Sequence, residues 1–168
     1  MYEIKVYQSS KISGTRLKYY EIKLPKMTPC TNQLKNTWKI LWKTFLIKKV
    51  IRTKASLKKK LLHRIDVTPN NISAVFSELF DKRRVFTYCL FPQKLVIVDT
   101  GSQNYWHDLY SKHAGFCSVK ACVAGEMRFS GNIPIFDLSS GTFRPTKKHI
   151  ENMRKRLPKL KIKIKTRR

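Results

Sequence analysis

The spacing of hydrophobic residues divides the chain into strand-like and helix-like segments. Apolar and polar residues alternate over residues 1–7 and 17–24, which predicts two strands. Gly, Pro, Asn and Ser mark the turns between the later segments. Further strands are predicted at residues 62–67, 85–91, 94–99, 116–129 and 133–138. Those at 85–91 and 94–99 are predicted to form a hairpin around Pro92-Gln93.

Three segments have helical spacing instead. The first begins near Thr31, where apolar residues recur between lysines: Leu34, Trp38, Leu41, Trp42 and Phe45. This spacing predicts a basic amphipathic helix that could continue through Leu57, Leu61 and Leu62. Thr68-Pro69 predicts a second helix start, with an apolar face up to Phe80 and three cations, Lys82 to Arg84, near its end. A third helix is predicted at Lys147 to Leu157.

After Pro158 lysine alternates with leucine and isoleucine. Period-two alternation fits an edge strand, but the high charge favours a disordered tail. The predicted fold class is therefore α+β: a small, mostly antiparallel sheet with a basic N-terminal amphipathic helix and a C-terminal helix.

Positive charge is concentrated at both ends of the 168-residue chain, whose formal net charge is +26. Residues 65–146 carry eight Lys or Arg and seven Asp or Glu, so the two flanks together carry +25. We expect a basic N-terminal region (1–64), a nearly neutral α+β core (65–146) and a basic C-terminal helix and tail (147–168). Such flanks imply a polyanionic partner, either nucleic acid, an anionic membrane surface or an acidic protein.

Localisation is predicted from cysteine usage and from missing signals. The four cysteines form no C-x-x-C pair, and Met-Tyr-Glu-Ile-Lys is not the start of a signal peptide. We expect reduced thiols, no transmembrane segment, and a cytoplasmic location in the producing cell or in a target cell.

Residues 106–145 hold the densest set of chemically useful side chains. His113, Glu126 and Ser140 lie on or beside short predicted strands, whose ends can bring polar groups into one cleft. The alternative is a turn-rich β-domain with ordinary surface polar residues. His113, Cys117 and Cys122 do not predict a zinc site, because a second ligand pair is missing.

The sequence K-H-A-G-F-C-S-V-K-A-C-V-A-G-E-M, followed by S-S-G-T-F-R-P-T, resembles a module found in bacterial polymorphic toxins and effectors and in plant IQ-motif calmodulin-binding proteins. In that module a His-Ser-Ser, an Ala-Gly-Glu and a Ser-Gly-His-Tyr-x-Pro motif follow one another. The resemblance covers residues 85–157. It implies an ADP-ribosyltransferase-like toxin or effector that uses NAD to modify nucleic acid or an associated target.

The resemblance also implies roles for individual residues. Glu126 would be catalytic, whereas His113, Ser140 and Arg144 would contact the NAD. The chain departs from the module where Ala114-Gly115 replaces two serines and where Thr142-Phe143 replaces His-Tyr. These departures remove a histidine and a tyrosine hydroxyl that the module would use to contact its ligand.

The alternative is a non-catalytic, basic nucleic-acid-binding protein, or a structural component of a virion or ribonucleoprotein particle. RNA is the expected nucleic acid, and an antitoxin or a calmodulin-like protein is the expected acidic partner. The predicted nucleic-acid contacts are the basic runs Lys58, Lys59, Lys60 and Arg154, Lys155, Arg156.

Overall fold

A computed structural model describes residues 1–9, 16–24, 59–99, 123–138, 140, 154 and 163–165. These residues include an eight-stranded sheet and the short helix Ile72–Leu79. The elements are β1 (Tyr2–Ser9), β2 (Lys18–Lys23), β3 (Lys59–Val67), α1 (Ile72–Leu79), β4 (Phe86–Leu90), β5 (Lys94–Val98), β6 (Val123–Ser130), β7 (Ile133–Asp137) and β8 (Lys163–Lys165).

The sheet has the strand order β3-β1-β2-β5-β4-β6-β7-β8. Its pairs are antiparallel except for β7 and β8, which run parallel. The predicted small, mostly antiparallel sheet is therefore confirmed. Strands from all three charge-defined segments share this sheet, so the charge boundaries do not divide it.

One face of the sheet, here called the first face, packs against α1. Alternate residues of each strand lie on the same side, and the buried residues on this side form one apolar cluster. Phe76 and Phe80 meet at a ring-centroid distance of 5.3 Å, and Phe80 lies 4.5 Å from Tyr20 and 5.0 Å from Phe86. Each such fully buried side chain contributes about 1.5–3 kcal/mol to folding, so this aromatic cluster is the main anchor of α1.

The opposite side, here called the second face, is mixed. At its centre Thr87, Cys89, Val96 and Val98 are buried. Toward β3 and β1 the second face carries charged side chains that keep access to solvent. Cys89 is disulfide-bonded, and the other three cysteines lie outside the described residues. The expectation of reduced thiols is therefore wrong for Cys89, because residue spacing alone does not reveal which cysteines meet in space.

Several boundaries differ from those that the sequence predicts. Leu61 and Leu62 belong to β3, so the first predicted helix does not continue through them; backbone pairing with β1 overrides their helical spacing. The second helix begins at Ile72, because Thr68 to Asn71 form a turn in which the Thr68 N–H donates to the Asn71 side chain. It ends at Leu79, so the three cations lie beyond its last turn.

The C-terminal tail provides the third difference. Lys163–Lys165 pair with Ile135–Asp137 as an edge strand, and this corrects the preference for a disordered tail at those residues. Arg154 is helical, as the third predicted helix requires. The N-terminal amphipathic helix and the rest of the C-terminal helix lie outside the described residues.

Candidate functional site

Glu126 lies in the middle of β6, on the second face of the sheet. It is in register with Thr87 of β4, and its side chain is half-buried. The strand continues for four residues beyond it, to Ser130. Glu126 is thus held on a regular strand and not at a strand end, where we expected the polar residues to converge.

Asp137 fixes the strand that carries Glu126. Its carboxylate accepts the backbone N–H of Glu126 at 3.0 Å through Oδ1, and Arg128 Nη2 at 2.9 Å through Oδ2. The Asp137 side chain is only 5 % exposed, whereas that of Arg128 is 45 % exposed. A carboxylate accepting charge-assisted hydrogen bonds in a nearly dry setting is a strong contact. The Asp137 carboxylate thereby stabilises the pairing of β7 with β6, one residue beyond the position where Met127 lies opposite Phe136.

The glycine of the Ala-Gly-Glu motif has a packing role on the opposite face. The Tyr88 hydroxyl donates to the Asp137 carbonyl at 2.7 Å, directly beside Gly125. A Cβ atom on Gly125 would lie 2.0 Å from that carbonyl oxygen and 3.0 Å from Tyr88 Cε1. Only glycine allows this approach. The motif glycine therefore serves the junction of β4, β6 and β7.

Burial raises the pKa of Tyr88 well above its usual value, and the negative charge of Asp137 adds to this effect. The hydroxyl therefore remains protonated and keeps its role as a donor. Its ring also meets Phe136 edge-on at 5.0 Å. Tyr88 thus connects the Asp137 junction to the aromatic core of the first face.

Ser140 follows β7 and is 5 % exposed. Its backbone N–H donates to the Leu138 carbonyl at 2.8 Å, which turns the chain just after the strand. The structure thus brings Glu126 and Ser140 onto neighbouring segments, as the sequence predicts. His113 and Arg144 lie outside the described residues, so their positions relative to Glu126 stay predictions.

The predicted nucleic-acid contacts are described in part. Lys59 and Lys60 begin the edge strand β3 and are exposed, and Arg154 is exposed. Lys58, Lys155 and Arg156 lie outside the described residues. The structure adds cations that sequence reasoning missed, because only strand register places Lys5 beside Arg64.

Two further observations concern metals and membranes. Within the part of the chain that the structure describes, no three His, Cys, Asp or Glu side chains are grouped as metal ligands. Among the same residues, no helix combines the length and the apolar composition needed to span a bilayer.

Asp137 and Tyr88 are the site residues that the sequence did not single out. An aspartate closing the apolar run Ile-Pro-Ile-Phe-Asp was the available signal, since an acid at such a position needs partners once it is buried. Comparison of the chain with family models, with curated proteins and with solved structures finds no match.

Proposed function

We propose that the protein binds nucleic acid, RNA in particular, through the sugar–phosphate backbone. The observation that supports this most is the concentration of positive charge outside residues 65–146. Where the structure describes those flanks, Lys59, Lys60 and Arg154 are exposed to solvent. Cations that neutralise phosphates release condensed counterions, so binding is driven by entropy and depends little on base sequence.

The test is a binding titration over a range of salt concentrations, with single-stranded RNA and DNA as ligands. We expect affinity to fall steeply with salt, by about 0.7 logarithmic units per contacted phosphate for each tenfold increase. Replacing Lys58 and Lys60, or the run Arg154 to Arg156, by glutamine should reduce this slope. A flat salt profile, or no binding at low salt, contradicts the proposal.

A second candidate function is NAD-dependent ADP-ribosyl transfer, and the position of Glu126 favours it. This carboxylate is half-buried on a strand that Asp137 holds in place. It could stabilise the oxocarbenium-like centre that develops when the nicotinamide bond of NAD breaks. In this proposal His113 positions the ribose, Ser140 the nicotinamide side, and Arg144 meets a phosphate.

Glu126→Gln tests that chemistry. The Glu126 contact to Asp137 is made by its backbone N–H, which the substitution leaves intact. The variant should fold and bind nucleic acid like the wild type but lose transfer of label from NAD to RNA or protein acceptors. Equal transfer by both proteins removes Glu126 from the catalytic role, and no transfer by the wild type contradicts the enzyme proposal.

The predicted N-terminal amphipathic helix, from about Thr31 to Ile51, belongs to the proposal as the contact for an acidic protein partner. Trp38 and Trp42 are spaced like the anchors of helices that dock into calmodulin-like grooves. The measurement is tryptophan fluorescence during titration with a calmodulin-like protein. An unchanged emission spectrum argues against this partner.

The proposed location is the cytoplasm of the producing cell or of a target cell. The disulfide at Cys89 requires that the protein also meets an oxidising compartment, because structural disulfides form and persist in oxidising surroundings. A protein delivered from one cell to another, or packed into a particle, passes through such surroundings. Alkylation of free thiols before and after reduction distinguishes this from a chain that stays reduced throughout.

A further inference from the structure

Four basic side chains share two carboxylates on the second face of the sheet. Glu3 pairs with Lys5 and with Arg64, each at 3.7 Å. Glu21 pairs with Lys59 at 3.4 Å and with Lys94 at 3.3 Å. We call these four cations the basic face: Lys5, Lys59, Arg64 and Lys94.

The basic face extends across four neighbouring strands. Arg64 of β3 is in register with Lys5 of β1, and Lys5 is in register with Glu21 of β2. Lys94 begins β5, beside β2. Strands lie about 4.8 Å apart, so three spacings cover about 14 Å. That width can accommodate more than one phosphate of an extended nucleic-acid strand.

The cations outnumber the anions within this network and remain accessible. The side chains of Lys59, Lys5, Lys94 and Arg64 are 30 %, 32 %, 44 % and 61 % exposed. Because Lys has three N–H donors and Arg has five, a carboxylate contact leaves donors available to a ligand.

Stabilisation of the fold does not account for this arrangement. Partly exposed ion pairs contribute about 0–1 kcal/mol each, and one cation per carboxylate would already satisfy that role. Lys59 also lies 4.4 Å from the centre of the Tyr19 ring, so one contact besides Glu21 already holds it. The network's net charge of +2 is left to attract an anion.

The same face offers apolar surface next to the cations. Tyr7 is half-buried and is in register with Leu61, which is 37 % exposed. Single-stranded nucleic acids present unpaired bases, which stack on aromatic side chains such as Tyr7 and contact apolar ones such as Leu61 while the phosphates meet cations. A duplex keeps its bases stacked inside and cannot use this surface in the same way.

We propose that the basic face, Lys5, Lys59, Arg64 and Lys94, binds the phosphate backbone of a single-stranded nucleic acid. This rests on the proposed nucleic-acid binding and assigns part of it to the folded sheet, in addition to the tails. RNA and DNA share the backbone chemistry, and parallel titrations with both distinguish them.

The experiment compares three variants of the full chain by fluorescence anisotropy with short labelled single-stranded and duplex oligonucleotides. Lys5→Ala with Arg64→Ala removes two cations of the basic face. Lys82→Ala with Arg83→Ala removes the same charge beyond the end of α1, and is the matched control. Glu3→Gln with Glu21→Gln releases all four cations from their carboxylates.

At about 0.1 M salt each phosphate contact is worth about fivefold in affinity for a single strand. We therefore expect the basic-face variant to bind single strands about 25-fold more weakly, with a salt slope smaller by about 1.4, and the control to change by less than about threefold. The Glu-to-Gln variant should bind more tightly and with a steeper slope, which a purely structural network would not produce.

Equal affinities for the basic-face variant and the control overturn the inference while leaving nucleic-acid binding itself in place. Unchanged or weaker binding by the Glu-to-Gln variant also overturns it, as does a preference for duplex over single strands. If the wild type binds no nucleic acid, both proposals fall. Melting curves of each variant verify that it is folded.

Discussion

Gly125→Ala probes the junction that holds β6 and β7 together. The added Cβ would lie 2.0 Å from the Asp137 carbonyl oxygen, whereas real Cβ contacts essentially never fall below 3.0 Å. The obstacle is backbone, so β7 must move by at least about 1 Å relative to β6. That movement disturbs the 2.7 Å hydrogen bond from Tyr88.

The size of the effect follows from three contributions. Overpacking in a filled interior destabilises by about 1–3 kcal/mol, and loss of one hydrogen bond by about 0.5–1.5 kcal/mol. The lower backbone entropy of alanine in the unfolded chain offsets about 0.4–1 kcal/mol. The middle of each range gives a net loss of about 2 kcal/mol, or a fall in melting temperature of about 4–8 °C for a chain of this length.

Urea unfolding of Gly125→Ala measures this free energy, and Gly131→Ala is the matched control. Gly131 has φ +58° but nothing within 4 Å of the position that an alanine methyl group would occupy, so only backbone strain of about 1 kcal/mol is expected there. A double-mutant cycle with Tyr88→Phe should show coupling of at least about 0.5 kcal/mol, because both changes act on one hydrogen bond. If Gly125→Ala unfolds at the wild-type urea concentration, the steric argument is wrong.

Two further predictions concern pH and the tail. Tyr88→Phe should lower the free energy of unfolding by about 1–2 kcal/mol near neutral pH. Because the pKa of Tyr88 is raised in the folded state, the stability that the hydroxyl contributes is complete below about pH 10 and is lost as the pH rises further. The difference in unfolding free energy between wild type and variant should therefore narrow by up to about 1.4 kcal/mol per pH unit. Equal slopes of unfolding free energy against alkaline pH would contradict this. Removing residues 159–168 should weaken nucleic-acid binding and lower stability by about 1–2 kcal/mol through loss of β8, with the remaining sheet still folded. Loss of the melting transition would instead make β8 essential, and unchanged affinity would exclude the tail from binding.

The sequence predicted the local elements better than their assembly. Alternation located β1, β2 and the β4–β5 hairpin, because each needs only its own residues or a near neighbour. The turn at Gly131 between β6 and β7 was predicted for the same reason. The placement of β3 beside β1 was not predicted, since no local pattern states which distant strand completes an edge.

The candidate site was predictable to a similar extent. The sequence singles out Glu126 and Ser140 by their chemical type and their neighbouring predicted strands. Glu126 donates its backbone N–H to Asp137 of β7, and Ser140 lies just beyond the end of β7. The sequence does not predict the packing role of Gly125, because a glycine in a motif can allow the close approach of either a ligand or a backbone carbonyl group. The Arg128–Asp137 ion pair depends on strand register. The hydrophobic pattern indicates on which face of the sheet a residue lies, but not which residue lies opposite it.

The strand order has a consequence for how the chain reaches its folded state. Three hairpins, β1–β2, β4–β5 and β6–β7, join residues that are close in sequence, whereas the β1–β3 and β2–β5 ladders join residues that are far apart. Closing such long loops loses entropy before any contact repays it, and sheets of this kind fold over milliseconds to seconds. We therefore expect the hairpins to form early and to pair with one another later. A ribosome-bound chain that ends before Lys94 contains β1 and β2 but lacks β5, the strand that connects them to the rest of the sheet. During that interval the exposed edge of β2 is open to pairing with other chains.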